Sequence, residues 1–378
     1  EGRLRGCGDM TGSSAAASGA PTRMEGPAKS AFLGYLHAFR GVAILVIMGA
    51  HAWSGLGFMS GLQEHDPDYI WLYATTEALF HGGTLFFALI SGILVTRVLR
   101  GMPWKAFYRN KFRHVIVPYV FTSTLLTAIA WPEILAWAES QHMEVNFPTV
   151  LATNLVTGQA ELQLWYIPVL TVLFLLTPLL ERLLRLRDGA YMLVLAALPL
   201  VVSRTVYPDL LSLKTLVYFL GAYGLGMYLG ERLDAMLRFV TTYRAGVLAV
   251  FAASLAVNFL LFRWGYVPEG FVSSQQLVVY INKIAAALLL LQWLQAHERH
   301  IPKVFHTLGT YAFSLYFLHF TLMWRLDALL VKYEPELTVP QVAAAGLVVY
   351  LLGAGVPLLL SMGLKKLLGR HSRLLIGV

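Results

Sequence analysis

The chain has 378 residues, of which 57% are hydrophobic and only 13% are charged. A soluble domain is usually about 45–50% apolar and about 25% charged, so the composition excludes an ordinary soluble globular protein. The formal net charge of +8 does not indicate nucleic-acid binding, because Lys and Arg gather in the cytoplasmic loops of membrane proteins.

The first 30 residues are rich in Gly, Ser, Ala and Pro and contain no apolar run. We therefore predict a disordered cytoplasmic tail over residues 1–30 and one transmembrane domain over residues 31–378. In that domain, apolar stretches of about 20 residues recur, and each is long enough to cross about 30 Å of hydrocarbon as a helix. This pattern predicts an all-α polytopic bundle of about ten transmembrane helices, at residues 39–58, 70–97, 113–131, 163–180, 190–207, 213–230, 245–262, 275–296, 306–325 and 338–364.

The loops between these predicted spans differ in charge. One alternating set holds several times as many Lys and Arg residues as the other, and it consists of residues 97–113, 181–188, 231–244, 297–303 and 365–378. Basic loops stay in the cytoplasm, so we expect both termini there as well. Inside the second span, the run His81-Gly82-Gly83 predicts a kink.

The first span carries two ionisable residues, Arg40 and His51, in an otherwise apolar run. Eleven residues correspond to about three turns of helix, so the two side chains share one face and lie about 16 Å apart along its axis. If Arg40 lies at the cytoplasmic edge, His51 lies deep in the membrane. Ionisable residues at such depth mark functional sites, and a histidine can act as a general base near neutral pH.

Other polar residues fall within predicted spans. Glu77 and His81 are four residues apart and therefore share a helix face. Ser91 precedes a glycine that lets backbones approach closely, Lys283 requires either an anionic partner or a functional role, and Trp165 suits either an interfacial belt or stacking on a sugar. The candidates for acceptor binding or support of His51 are Glu77, His81, Ser91, Trp165, Lys283 and His319.

Two kinds of site are not indicated. The histidines lack the Cys or carboxylate neighbours that zinc sites use, and there is no Gly-rich phosphate-binding loop. We therefore expect no metal and no permanently bound cofactor.

Several segments resemble the acyltransferase-3 family of integral membrane acyltransferases. On the first span, YLHAF precedes an arginine that is followed eleven residues later by a histidine. Four further segments match family elements in the right order: LFFALISGILVTRVL (85–99), FYRNKFRHVIVPYV (107–120), LWYIPVL (164–170) and LGTYAFSLYFLHF (308–320). The family usually has Phe where this chain has Ile93, which is a mild departure.

The resemblance implies a membrane O-acyltransferase. Its donor substrate would be cytoplasmic acyl-CoA, with acetyl-CoA expected, and its acceptor a hydroxyl of an extracytoplasmic glycan or similar compound. The anionic head of CoA would bind Arg109, Lys111 and Arg113, with Arg40 at the mouth of the channel. His51 would be the catalytic base, and an acyl-histidine intermediate is the alternative. The implied location is a bacterial inner membrane, with a separate periplasmic partner as an option.

Two other classes remain open at this point. A proton-coupled secondary transporter of a polar solute or glycan precursor would also bury His, Glu and Lys side chains in about ten spans. Against it, the chain shows no paired halves with matching broken spans. A structural subunit of a glycan-assembly complex is the other alternative. Acyl transfer by the purified protein would separate the enzyme from both.

Overall fold

A computed structural model describes residues 33–62, 66–205, 211–265 and 272–378. The predicted N-terminal tail, residues 1–30, lies outside them. The described residues form helices and no strand, which confirms the all-α prediction. The α-helices are α1 Gly34–Ala52, α2 Ser54–Ser60, α3 Pro67–Phe80, α4 Thr84–Arg97, α5 Trp104–Lys111, α6 Val117–Ser140, α7 Phe147–Thr157, α8 Tyr166–Arg185, α9 Ala190–Ala197, α10 Leu213–Glu231, α11 Leu233–Thr242, α12 Arg244–Arg263, α13 Ser274–Ala296, α14 Lys303–Tyr333, α15 Val339–Leu368 and α16 Ser372–Leu375.

Short turns of other helix types join several of these elements. A π-helical turn, Phe112–Ile116, continues α5 into α6, and a 3₁₀ turn, Leu162–Trp165, leads into α8. Further 3₁₀ turns lie at Arg187–Gly189, Leu198–Leu200, Glu298–His300 and Gly369–His371.

Seven helical segments among the described residues are long and apolar enough to cross a membrane: Gly34–Ser60, Pro67–Arg97, Trp104–Ser140, Leu162–Arg185, Arg244–Arg263, Ser274–Ala296 and Val339–Leu375. Each of them overlaps a predicted span. The three remaining predicted spans correspond to the short α9 with its following turn, to α10 and to α14. The count of ten spans and the cytoplasmic position of both termini stay predictions.

The second predicted span is interrupted where its glycines fall. Helix α3 ends at Phe80, and α4 begins at Thr84. Gly82 has a φ of +76°, a left-handed conformation that glycine adopts without steric cost. The interruption therefore confirms the kink expected at His81-Gly82-Gly83, and it leaves two half-helices joined inside one apolar segment.

Helices α1 and α14 run in the same direction with their backbones in contact. A Cβ atom on Gly41 would overlap the carbonyl oxygen of Phe305, and a Cβ atom on Gly309 would overlap that of His37. Small residues are what allow membrane helices to approach this closely. Because Gly41 and Gly309 face each other, the residues ten positions further along each helix, His51 and His319, are brought to the same level.

A second glycine contact joins α4 to α10. A Cβ atom on Gly92 would overlap the carbonyl oxygen of Tyr223, and one on Gly226 would overlap that of Leu89. The Ser91-Gly92 pair therefore does allow the close approach of backbones that the sequence indicated. Ser91 itself is half-buried on α4.

The contact between α1 and α14 can be tested by adding one methyl group to a glycine in it. Gly309→Ala should destabilise the protein by about 1–3 kcal/mol, because the new methyl group has to push two backbones apart. The control is Gly246→Ala on α12, where a Cβ atom meets nothing within 4 Å. There the higher helix propensity of alanine should leave stability unchanged or slightly increased. Thermal unfolding in detergent measures both variants, and equal midpoints would contradict the proposed contact.

Candidate functional site

A cavity of about 390 Å³ lies at the Arg40 end of α1. We call it the basic cavity, because its wall carries the basic side chains His37, Arg40, Lys111, His114, Lys365 and Arg373. None of the described residues that line it is an Asp or Glu. A concave surface whose charged side chains share one sign concentrates ligands of the opposite sign, so the cavity suits a polyanion.

The three residues expected to bind the head of CoA, Arg109, Lys111 and Arg113, contribute unequally to this cavity. Lys111 lines it, and its ammonium group lies 4.2 Å from the centre of the Phe174 ring, which holds the long side chain in place. Arg109 and Arg113 are exposed and do not line the cavity. Of the three residues expected to bind CoA, the structure thus brings only Lys111 together with Arg40. A role for Arg109 and Arg113 stays a prediction.

Further along α1, the imidazole ring of His51 faces that of His319 on α14. The ring centres of His51 and His319 are 5.5 Å apart with the planes tilted by 42°, and Phe320 packs edge-on against His51 at 5.0 Å. His51 is half-buried, whereas His319 is fully buried. The helix that carries Arg40 into the basic cavity therefore also brings His51 to a second histidine.

The hydrogen bonds of His319 define its chemistry. Its Nδ1 atom lies 2.9 Å from the carbonyl oxygen of Leu315 and 3.0 Å from that of Tyr316. Carbonyls only accept, so Nδ1 carries the hydrogen, and Nε2 of the neutral ring is an acceptor. Nε2 is buried without a hydrogen-bond partner among the described residues. Because leaving a buried acceptor unpaired is costly, this atom is suited to accept a hydrogen bond from a hydroxyl or from an N–H of the His51 ring.

A polar chain lies beside the break between α3 and α4. The guanidinium of Arg204 donates from Nη2 to Nε2 of His81 at 2.8 Å and from Nε to Oε1 of Gln276 at 3.1 Å. With Nε2 accepting, the Nδ1–H of His81 donates to Oε2 of Glu77 at 2.7 Å. Glu77 and His81 therefore do share a face, as their spacing predicts, and their carboxylate–imidazole pair orients Arg204.

Lys283 reaches the same break from α13. Its ammonium donates to the carbonyl oxygen of Leu79 at 2.7 Å and approaches that of Ala78 at 3.5 Å. These carbonyls belong to the last turn of α3, where a helix leaves acceptors unpaired and its dipole is negative. Lys283 thus caps the C-terminal end of a half-helix, which accounts for a buried lysine without a directly bonded carboxylate.

A second cavity, of about 630 Å³, lies beside the later part of α6. We call it the vestibule; its lining includes Trp137, Asn154, Glu161 and Trp165. The basic cavity instead touches the turn that precedes α6, so the two cavities lie toward opposite ends of that helix. Thr321 donates a hydrogen bond to the Glu161 carboxylate at 3.0 Å, and burial raises the pKa of that carboxyl.

The sequence did not single out Arg204, Gln276, Lys365 or Arg373. Arg204 falls near the end of the predicted span 190–207, and the last two fall in the basic segment 365–378. Arg204 bonds to His81 and Gln276, each more than 70 positions away in the chain, so these contacts depend on the tertiary structure. The described residues contain no group of His, Cys, Asp and Glu side chains suited to hold a metal ion.

Comparison with known proteins yields one match. A family model described as an acyltransferase domain, that of the acyltransferase-3 family, matches residues 33–364. The match spans nearly the whole chain, and of the residues that line the two cavities it leaves out only those after residue 364, which include Lys365 and Arg373. No curated protein and no solved structure matches.

The capping role of Lys283 makes a stability prediction. Lys283→Met should lower the free energy of unfolding by about 1–3 kcal/mol, because the Leu79 carbonyl would stay buried without its donor. Lys332→Met is the matched control, since Lys332 is exposed on α14. Denaturation followed by near-UV circular dichroism measures both. If the two variants unfold alike, Lys283 does not cap the half-helix.

Proposed function

Because the chain belongs to the acyltransferase-3 family, it is a membrane acyltransferase, and we propose that it transfers an acyl group from acyl-CoA to a hydroxyl of an extracytoplasmic glycan or similar acceptor. Acetyl is the proposed acyl group, and a bacterial inner membrane is the proposed location. One observation carries the proposal: α1 presents Arg40 to a basic cavity and, about 16 Å further along its axis, His51 to a second imidazole.

The basic cavity is the proposed site for the nucleotide head of acyl-CoA. The head is polyanionic, and guanidinium and ammonium groups bind phosphate by charge-assisted hydrogen bonds. Arg40 and Lys111 face the cavity from the transmembrane helices, while Lys365 and Arg373 face it from the C-terminal segment. With the head held there, the thin pantetheine arm would extend along α1 and bring the thioester toward His51.

His51 is the proposed general base. A nitrogen of His51 would take the proton of the acceptor hydroxyl while the hydroxyl oxygen attacks the thioester carbonyl carbon. The tetrahedral intermediate would then expel CoA as a thiolate, which takes up a proton, and a new ester bond would remain on the acceptor. His319, with its Nε2 acceptor near the His51 ring, would orient that ring or hold the acceptor hydroxyl. In the alternative route, a His51 nitrogen attacks first and an acyl-histidine forms.

The vestibule is the proposed entrance for the acceptor. It lies toward the opposite end of α6 from the basic cavity, and it combines aromatic faces with hydrogen-bonding groups, as sugar sites do. Trp165 forms part of its wall and also packs against Arg204, with the guanidinium carbon 5.8 Å from the ring centre. Trp165 therefore lies between the vestibule and the polar chain of Arg204, His81 and Glu77. A separate periplasmic partner would receive or present the glycan.

The donor site can be tested by comparing residues inside and outside the basic cavity. Lys111→Gln and Arg373→Gln should each weaken CoA binding roughly tenfold, because each removes a charge-assisted hydrogen bond to phosphate. Arg109→Gln is the control, as Arg109 neighbours Lys111 in sequence but is exposed and outside the cavity. Isothermal titration of the purified proteins with CoA gives the dissociation constants. If only the Arg109 variant bound CoA more weakly, the nucleotide head would bind at the exposed surface around Arg109 instead.

The proposed base can be tested separately from the donor site. His51→Ala should lower acyl transfer by about 10²–10⁴-fold while CoA binding and the unfolding midpoint stay unchanged. Transfer is followed with radiolabelled acetyl-CoA and membranes that contain the natural acceptor, and acid quenching shows whether label remains on the protein as an acyl-histidine. Wild-type rates in this variant would remove His51 from the chemistry.

A further inference from the structure

The guanidinium of Arg204, a half-buried residue, points to a property of the acceptor that the family match does not give. No carboxylate among the described residues lies within ion-pair distance of Arg204. Its two hydrogen-bond partners, His81 Nε2 and Gln276 Oε1, are neutral acceptors. Withdrawing a cation from water, even in part, is costly unless it is paired, so a half-buried arginine in this setting favours binding of an anion.

The arginine is held with hydrogen-bonding capacity to spare. A guanidinium has five N–H donors in a rigid fork, and two of them are used by His81 and Gln276. The remaining donors of one planar fork suffice for a bidentate carboxylate, the geometry that arginine matches best. The cluster is not sealed, since the side chain of His81 is 23% exposed and that of Glu77 is 12% exposed.

The surrounding backbone fixes the position of this fork. The hydroxyl of Ser203 accepts a hydrogen bond from the Ser273 backbone N–H at 2.7 Å, which ties the segment before Arg204 to the start of α13. The Tyr218 hydroxyl donates to the backbone carbonyl of Gln276 at 3.0 Å, so the residue that holds Nε is itself anchored. A guanidinium that is positioned from several sides binds a ligand with little loss of side-chain freedom.

The local charges do not cancel. In the observed hydrogen-bond pattern His81 is neutral, so Glu77 contributes one negative charge while Arg204 and Lys283 each contribute a positive one. Lys283 lies close enough to Glu77 for the two charges to interact. The cluster therefore has an excess of one positive charge, which a ligand with one carboxylate would balance.

The position of the cluster links this anion to the reaction. The side chain of His81 lies within the range of electrostatic interaction with the His51 ring, and Trp165, which packs against Arg204, lines the vestibule. From these observations we infer that Arg204 binds a carboxylate carried by the acceptor, so that the acylated hydroxyl belongs to an acidic sugar or a related hydroxy acid. This inference rests on the proposed function, since it specifies the acceptor class of that site.

The test uses matched probes that differ only at C6, where a carboxylate replaces a hydroxymethyl group. The probes are the methyl glycosides of glucuronic, galacturonic and mannuronic acid, each paired with the methyl glycoside of its neutral hexose. Their dissociation constants are measured by isothermal titration on the full chain in detergent, with CoA saturating so that the basic cavity is filled. At least one acidic probe should bind wild-type protein roughly tenfold more tightly than its neutral partner, the gain expected from a charge-assisted bidentate contact.

Three variants locate the discrimination. Arg204→Gln should abolish it, Arg204→Lys should reduce it because the charge remains while the fork is lost, and Arg325→Gln should leave it intact, as that side chain is 59% exposed. If Arg204→Gln does not fold, Arg204→Lys alone decides the outcome. The inference is overturned if no acidic probe binds more tightly than its neutral partner. It is also overturned if the variants at Arg204 discriminate between the two probes as strongly as the wild-type protein does. Failure of CoA to bind in the same samples would instead refute the proposed donor site.

Discussion

The close approach of α1 and α14 is the constraint on which the candidate site depends. Gly41 and Gly309 present no side chains, so each helix meets the backbone of the other, and the two helices stay in register from there onward. That register brings His51 and His319 to within 5.5 Å of each other between ring centres. In a membrane, where hydrophobic burial does not favour one helix pair over another, such small-residue packing is what selects a specific pair.

The interrupted second span supplies the other half of the site. A break in a helix inside an apolar segment frees carbonyl groups that water cannot satisfy, so the protein must provide a donor. Lys283 is that donor, and its charge also complements the dipole of the half-helix. The same break turns His81 toward Arg204, and the carboxylate of Glu77 keeps the His81 ring in one tautomer. One local disruption thus accounts for a lysine, a histidine and a carboxylate that would otherwise be costly to bury.

The sequence predicted the parts of this site that depend on local geometry. Helical spacing was enough to place Arg40 and His51 on one helix and to pair Glu77 with His81. The two adjacent glycines, Gly82 and Gly83, were enough to locate the break in the second span. It could not show that Arg204 meets His81, or that Arg373 joins Arg40 in the basic cavity, because those contacts connect distant parts of the chain. One pattern in the sequence does anticipate the contact between the two histidines: a glycine precedes the histidine by ten residues on both α1 and α14.

The most direct test of this account is an experimental structure of the full chain with CoA bound in a lipid nanodisc. The account requires the nucleotide of CoA to lie among Arg40, Lys111 and Arg373, with the thiol end directed along α1 toward His51 and His319. Density for CoA at any other surface, or a thiol end that points away from the two imidazoles, would contradict it.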